Sequence, residues 1–305
     1  MHTALVTSWD HLPTYAEVET PAFPSEGSDI VQIKLIATGL HRLVKSRAAG
    51  THYSAKTLPH IPGVDGVGTT PSGQVVYFST IGTGGSFSEV INVPKKDTTP
   101  LPVGVDPLQA AALVNPALSS WLALAYRTFN LPENFTAVIH GVTTASGAIS
   151  INVAKALGAG RVIGVARNAK AMEALDLDQR ITLREKIEET DFSTLGDVDV
   201  VLDYLYGAPV VHLLKSLNSK RPVQVVQIGS MAGTEAALPG AVLRSKDITL
   251  RGSGPGAFKI SDLVDSLPGL LNVLKSVPER DLRVVSLVDV KKVWNQGGER
   301  IVFIP

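Results

Sequence analysis

The chain has 305 residues, 44% of them hydrophobic and 18% charged, and its 28 basic and 28 acidic side chains cancel. That length can hold two cores, and the balanced charge removes any bulk pull toward nucleic acid or an anionic membrane, which leaves a small-molecule substrate as the expected partner. There is no cysteine, which excludes disulfides, thiolate catalysis and cysteine-bearing zinc sites.

The opening segment, Met-His-Thr-Ala-Leu-Val-Thr-Ser-Trp-Asp, has no basic region followed by an apolar core, so a cytoplasmic protein without a secretory segment is expected. Gly and Pro then punctuate short strands at Ile30 to Ala37, Gly73 to Phe78 and Ser86 to Val93, the pattern of an antiparallel, barrel-like domain. Pro107 opens a helix with Leu108, Ala111, Ala112 and Leu113 on its apolar positions. The longest apolar stretch, around Ala110 to Ala125, contains Asn115, Pro116 and two serines; it reads as too short and too interrupted to span a bilayer.

From Thr136 strands alternate with helices: Ala137 to His140, Arg161 to Ala166, Asp199 to Tyr204, Val223 to Ile228 and Ile248 to Gly252. Five such units imply an α/β fold with a doubly wound parallel sheet of Rossmann type. A helix near Leu263 to Val277, a strand at Val284 to Leu287, a helix around Trp294 and a strand at Arg300 to Ile304 are expected to return to the first domain. The expected domains are therefore 1–113 with 255–305, and 114–254.

The segment 136–168 carries the chemistry. Strand, tight turn, helix and second strand make the unit that places a dinucleotide pyrophosphate at a helix N-terminus. The candidate phosphate turn is Gly141, Thr143, Thr144, Ala145, Ser146 and Gly147. With Gly147 as the last glycine of G-x-G-x-x-G, the first two fall on Val142 and Thr144. Thr144 either crowds the backbone or offers its hydroxyl to a phosphate. The next strand ends in Arg167, Asn168 and then Lys170, where an NAD site places a carboxylate. A carboxylate repels a 2′-phosphate and an arginine fork binds one, so NADP(H) is favoured over NAD(H); the alternative for Arg167 is a solvated surface side chain. Tyr204, at another strand end, either approaches the adenosine or is a core aromatic.

Several segments in their order and spacing resemble the medium-chain dehydrogenase/reductase superfamily, in its zinc-independent quinone oxidoreductase branch. They are Ala-Thr-Gly-Leu-His-Arg (37–42), Pro-Gly-Val-Asp-Gly-Val-Gly (62–68), Gly-Ser-Phe-Ser-Glu (85–89), residues 101–113, the strand-turn-helix unit, Asp-Val-Val-Leu-Asp-Tyr (199–204) and Gln-Ile-Gly-Ser (227–230). The resemblance implies a discontinuous GroES-like domain plus a Rossmann domain, a cleft between them for nicotinamide and substrate, and a homodimer.

It also implies which chemistry is lost. The positions of a catalytic zinc trio are His41, Val64 and Asn115, with Asp65 beside Val64, and the hydroxyl that relays an alcohol proton is replaced by Leu43. That set makes no normal zinc site, so no metal is expected. Ser46 stands where metal-free relatives often carry a tyrosine. His41 is the first candidate for a hydrogen-bond donor or proton source, unless it is a buried histidine satisfied by backbone. Asn115 is the second, unless it is a helix cap before Pro116. Ser119 matches a nicotinamide contact, and Tyr53 and His52 lie in a loop able to line the substrate pocket. Gly229, Ser230 and Met231 match the nicotinamide ribose border, and Gly252, Ser253 and Gly254 the carboxamide contact. Trp121 and Trp294 read as packing residues.

The expectation is an NADPH-dependent reductase moving hydride to a conjugated carbonyl compound or a quinone, that is, a quinone or enoyl reductase. The alternative is a non-redox small-molecule-binding or tailoring protein of secondary metabolism that retains the fold, suggested by Thr144 and by the absence of an evident general acid.

Overall fold

A computed structural model describes residues 1–305 except Tyr53, Pro255, Gly298, Glu299 and the side chain of Ile260. The chain divides into two units, Met1–Asn115 with Leu267–Pro305, and Pro116–Ser266.

The first unit begins with an antiparallel ribbon of β1 (His2–Leu5) and β2 (Thr14–Glu17), followed by β3 (Ile30–Gly39), α1 (Arg42–Ala48), β4 (Asp65–Thr69), β5 (Val75–Ser79), β6 (Val90–Pro94) and β7 (Thr98–Pro100). Two strands expected from sequence are displaced. Gly73 is spent in a turn with φ +84°, so β5 starts at Val75. The run from Ser86 is split: Phe87 accepts from the Ala4 amide and Ser88 bridges Thr3, and the strand paired with β3 begins only at Val90.

Asp106 accepts the Gln109 amide at 2.8 Å ahead of Pro107, a side-chain cap followed by proline in the first turn. Helix α2 (Pro107–Arg127) then runs straight through Pro116. It is therefore longer than the sequence reading allowed, and its length and composition match a bilayer span. Yet 67% of its most apolar window is buried inside the protein, as in a core helix.

The second unit is built on β8 (Phe135–His140), α3 (Ala145–Ala156), β9 (Ala159–Ala166), α4 (Ala169–Glu173), β10 (Gln179–Thr182), β11 (Val200–Asp203), α5 (Gly207–Ser216), β12 (Val223–Gln227), α6 (Gly240–Ser245), β13 (Ile248–Gly252) and the first half of α7 (Ile260–Val273). The six strands are all parallel, in the order β10-β9-β8-β11-β12-β13. The direction of winding reverses between β8 and β11, and the carboxyl ends of strands at such a point are where doubly wound sheets bind ligands. Val138, Ile163, Val165, Val201 and Val225 form the core of this unit.

The chain returns with β14 (Leu282–Ser286), α8 (Val290–Val293) and β15 (Arg300–Ile304). The expected helix to Val277 stops at Val273 and continues as a 3-10 turn, and Trp294 sits at the C-cap of the four-residue α8. The sheet of the first unit has the order β14-β15-β3-β4-β5-β7, with β6 also on β3, antiparallel except for the β14–β15 pair. Phe87, Trp294 and Phe303 pack together in its core.

Candidate active site

In the second unit, β8 ends at His140 and the chain turns at once. Gly141 has φ +98°, a conformation that suits glycine. The amides of Gly141 and Val142 both donate to the Val165 carbonyl, at 2.8 and 3.1 Å. The turn is thus bonded to β9 two residues before Arg167. A Cβ at Gly147 would overlap the Gly141 carbonyl oxygen, so only glycine lets α3 start this close to the turn.

Thr144 is the N-cap of α3. Its hydroxyl donates to the Gly141 carbonyl at 2.8 Å and accepts the Gly147 amide at 3.0 Å. The single hydroxyl proton is therefore used inside the turn. This corrects the expectation that Thr144 offers its hydroxyl to a phosphate. Among the described residues the amides of Ala145 and Ser146, in the first turn of α3, have no partner. They are the free donors that a helix N-terminus presents to an anion.

Arg167 and Lys170 are exposed, and neither makes an ion pair or hydrogen bond among the described residues. Asn168 differs: its side-chain oxygen caps α4 by accepting the Ala171 amide at 3.0 Å, so its local role is structural.

Behind the turn the sequence reading needs another correction. Tyr204 is 4% exposed, and its hydroxyl lies 2.6 Å from Ser150 Oγ and 3.1 Å from Ser119 Oγ. Both serine hydroxyls donate to backbone, Ser150 to Ser146 and Ser119 to Pro116. The tyrosine thus ties α3 to α2, and burial raises its phenol above the ordinary range. Tyr204 belongs to the core of this unit, and Ser119 is half-buried beside it.

The strand ends beside it are also spoken for. His140 Nδ1 and Asp203 Oδ1 are 2.8 Å apart with both side chains fully buried. Asp203 also accepts the amides of Leu205 and Tyr206, and its backbone carbonyl accepts those of Ile228 and Gly229. Ser230 and Met231 follow on the surface. The Gly252 carbonyl accepts from Arg127 Nε at 2.8 Å and the Ser253 amide donates to the Gln227 carbonyl. A carbonyl keeps a second lone pair, so Gly252 retains an acceptor, but the Ser253 amide does not remain a donor. Gly254 accepts the Ala257 amide.

In the first unit, His41 and Asp65 are both buried, and His41 Nε2 lies 3.3 Å from Asp65 Oδ1. Tyr77 donates to the other carboxylate oxygen at 2.8 Å. The buried phenol is pushed well up by its loss of water and by the Asp65 charge. Burial lowers the Arg300 guanidinium to about 10, and the charge of Asp65 opposes the shift. His41 Nδ1 is buried and has no hydrogen-bond partner. A neutral ring that donates from Nε2 to Asp65 keeps a lone pair at Nδ1, and a protonated ring has a proton there to give.

The remaining candidates are less poised. Asn115 is half-buried in the interior of α2, not a helix cap, because the helix starts at Pro107. The Ser46 hydroxyl donates to the Leu43 carbonyl within α1. His52 Nδ1 is engaged with Ser54 at 2.7 Å. Tyr53 lies outside the described residues. Sequence patterning did not single out Tyr77, which reaches Asp65 from β5, or Arg300 on β15, which donates to the Ala112 carbonyl.

No family model matches the chain. It is 32% identical, over 357 aligned positions and the whole of both chains, to a protein of Emericella nidulans named "Probable NADPH-dependent quinone reductase tdiC". Among solved structures it is similar to a quinone oxidoreductase of Thermus thermophilus, with a TM-score of 0.79 and 22% identity over all of both chains. It is likewise similar to the Escherichia coli quinone oxidoreductase complexed with NADPH, with a TM-score of 0.77 and 20% identity over all of both chains.

Proposed function

Because the chain belongs to the quinone oxidoreductase branch of the medium-chain dehydrogenase/reductase superfamily, we propose that it is an NADPH-dependent reductase acting on quinones. One observation carries the cofactor choice: the Gly141–Val142 turn that leads into the open first turn of α3 is bonded to β9 two residues before Arg167, which has no partner among the described residues. The cradle fits a dinucleotide phosphate, since the helix approaches the turn as closely as only Gly147 allows. Ala145 and Ser146 would hold the pyrophosphate by their amides, and Arg167 with Lys170 the 2′-phosphate.

NADPH, when bound, supplies a hydride from its nicotinamide ring. The rest of the balance is one proton, because quinone, one hydride and one proton make a hydroquinone. His41 is positioned by Asp65 to hold such a proton at Nδ1 and to stabilise the oxyanion that hydride addition creates. Asp65 and Tyr77 act through His41 as positioning residues. Gly229, Ser230, Met231, Gly252 and Gly254 border the cofactor, and Ser46, Tyr53 and Asn115 the substrate.

The protein is read as a cytoplasmic homodimer. Strand β13 is one edge of the six-stranded sheet and leaves Leu250 41% exposed, an edge that a second copy would cover. The non-redox reading rested on Thr144, whose hydroxyl closes the turn, and on the absence of an evident general acid.

The test is anaerobic mixing of the purified protein with NADPH and a benzoquinone or naphthoquinone. One NADPH oxidised per hydroquinone formed, and little turnover with NADH, is the expected result. Failure to oxidise NADPH with any quinone in a panel rejects the reading.

A further inference from the structure

Arg47 follows His41 by six positions on α1, about 9 Å along a helix axis. It lines an open pocket of about 610 Å³ in the first unit, together with Lys56, His60, Leu5, Ile61 and the glycine-rich run that begins at Gly82. The volume suits a small organic molecule. No aspartate or glutamate is among the described lining residues.

The charge in this pocket is unbalanced. Arg47 is half-buried, and its guanidinium has no hydrogen bond or ion pair among the described residues. Such a group gives up hydration without gaining a counter-ion, an arrangement proteins generally avoid unless a guest completes it. Burial depresses the Arg47 guanidinium and, with the Arg47 charge adding to the effect, the His52 imidazole. His60 is lowered first by burial and then by Arg47, against a backbone hydrogen bond to Thr57. His52 and His60 therefore both feel Arg47 as a repulsion. A Cβ built on Gly82 or Gly84 would meet nothing within 4 Å, so side chains there do not fill the space in front of them. Leu5 and Ile61 add apolar surface.

We propose that this pocket seats the acidic end of the substrate, so that the enzyme acts on quinones bearing a carboxylate or an ionised hydroxyl group in preference to neutral ones. Arg47 is the fork that receives the anionic oxygens, Lys56 adds charge at the exposed side, and the neutral His60 ring supplies a further polar contact. The inference rests on the reductase reading for its substrate class.

The experiment compares NADPH oxidation by the full-length protein with 1,4-naphthoquinone, its 2-hydroxy derivative and a carboxylated naphthoquinone. Wild type is set against Arg47→Met and Lys56→Gln, the latter at an exposed position that does not threaten folding. The expected result is that the ratio of kcat/KM for anionic over neutral quinone falls about tenfold in Arg47→Met and less in Lys56→Gln, chiefly through KM. Loss with only one of the two acidic quinones identifies which oxygen anion is read. An unchanged ratio in both variants overturns the proposal. If no quinone is reduced, the reductase reading fails, and binding still decides this one. Trp9 packs on the His60 ring at 5.4 Å, so its fluorescence should report saturable binding of 2-hydroxy-1,4-naphthoquinone that both variants weaken. Equal affinity for the hydroxylated and neutral compounds overturns the proposal by that route as well.

Discussion

Arg300 donates through Nε and Nη2 to the backbone carbonyl of Ala112, the acceptor in α2 that Pro116, lacking an N–H, leaves unfilled. A proline inside a helix thereby creates a docking point for a guanidinium from the far end of the chain. Burial lowers the same guanidinium, and the charge of Asp65 opposes that shift. Arg300→Met should destabilise the protein by about 1–3 kcal/mol, the range for orphaning a buried acceptor. In a Pro116→Ala background the helix regains its own donor, so the same substitution should cost less. Urea denaturation of the four proteins in the double-mutant cycle decides this; equal costs in both backgrounds reject the link.

Arg167→Ala should weaken NADPH binding by about 1–3 kcal/mol, through loss of charge-assisted hydrogen bonds, and leave NADH nearly unchanged. Titration calorimetry with both dinucleotides measures the difference. Equal losses would remove Arg167 from the 2′-phosphate site.

Thr144→Ala removes the cap of α3 and should lower stability by about 1 kcal/mol, whereas Thr144→Ser should be close to neutral. NADPH affinity of the serine variant should change by less than about threefold, because the hydroxyl already serves Gly141 and Gly147. A large affinity loss in Thr144→Ser with unaltered stability would restore the threonine to direct phosphate contact.

Tyr77→Phe deletes the phenol that donates to Asp65 at 2.8 Å. Hydrogen bonds to charged groups are worth about 1.5–3 kcal/mol, and a similar loss of stability is expected. A fall in kcat larger than any change in KM would accompany it if Asp65 positions His41. Stability loss with wild-type kcat would leave the phenol a structural role only.

Acid should destabilise the first unit through His52 and His60, whose imidazoles are both lowered mainly by burial. The unfolded chain takes up protons near the ordinary histidine value and the folded chain only at lower pH. Their contribution is therefore intact above that value and is lost as pH falls toward the folded ones. Urea midpoints at pH 7.5 and 5.5 should show the drop, and it should shrink in His60→Gln. A midpoint difference identical in that variant contradicts the assignment.

The central strands of the second unit were legible because strands buried on both faces read as apolar runs, as at Ala137 to His140 and Arg161 to Ala166. Strand β10 was not, since Gln179-Arg180-Ile181-Thr182 lies at the sheet edge with only Ile181 buried. Strand β4 was hidden by two glycines among five residues. The spacing from Gly147 to Arg167 picked out the turn between β8 and α3 and the end of β9 without any contact information. The surroundings of His41 could not be read in the same way, because Asp65 and Tyr77 arrive from two other elements, β4 and β5. Pro116 was the available signal: a proline in a strongly apolar helical pattern announces a carbonyl in need of an outside donor.

The pairing of β15 with β3, Val302 opposite Gly39 and Phe303 opposite Thr38, sets an order of assembly. Residues 116–266 contain every strand of the parallel sheet, so a ribosome delivers that unit complete while β3 still lacks a neighbour along this edge. Until the final strand emerges, the Leu40 amide has no Ile301 carbonyl to meet and the first core has no Phe303. The nascent chain thus carries an open strand edge for the whole time the middle of the protein is being made, and that edge is where self-association or chaperone capture would occur.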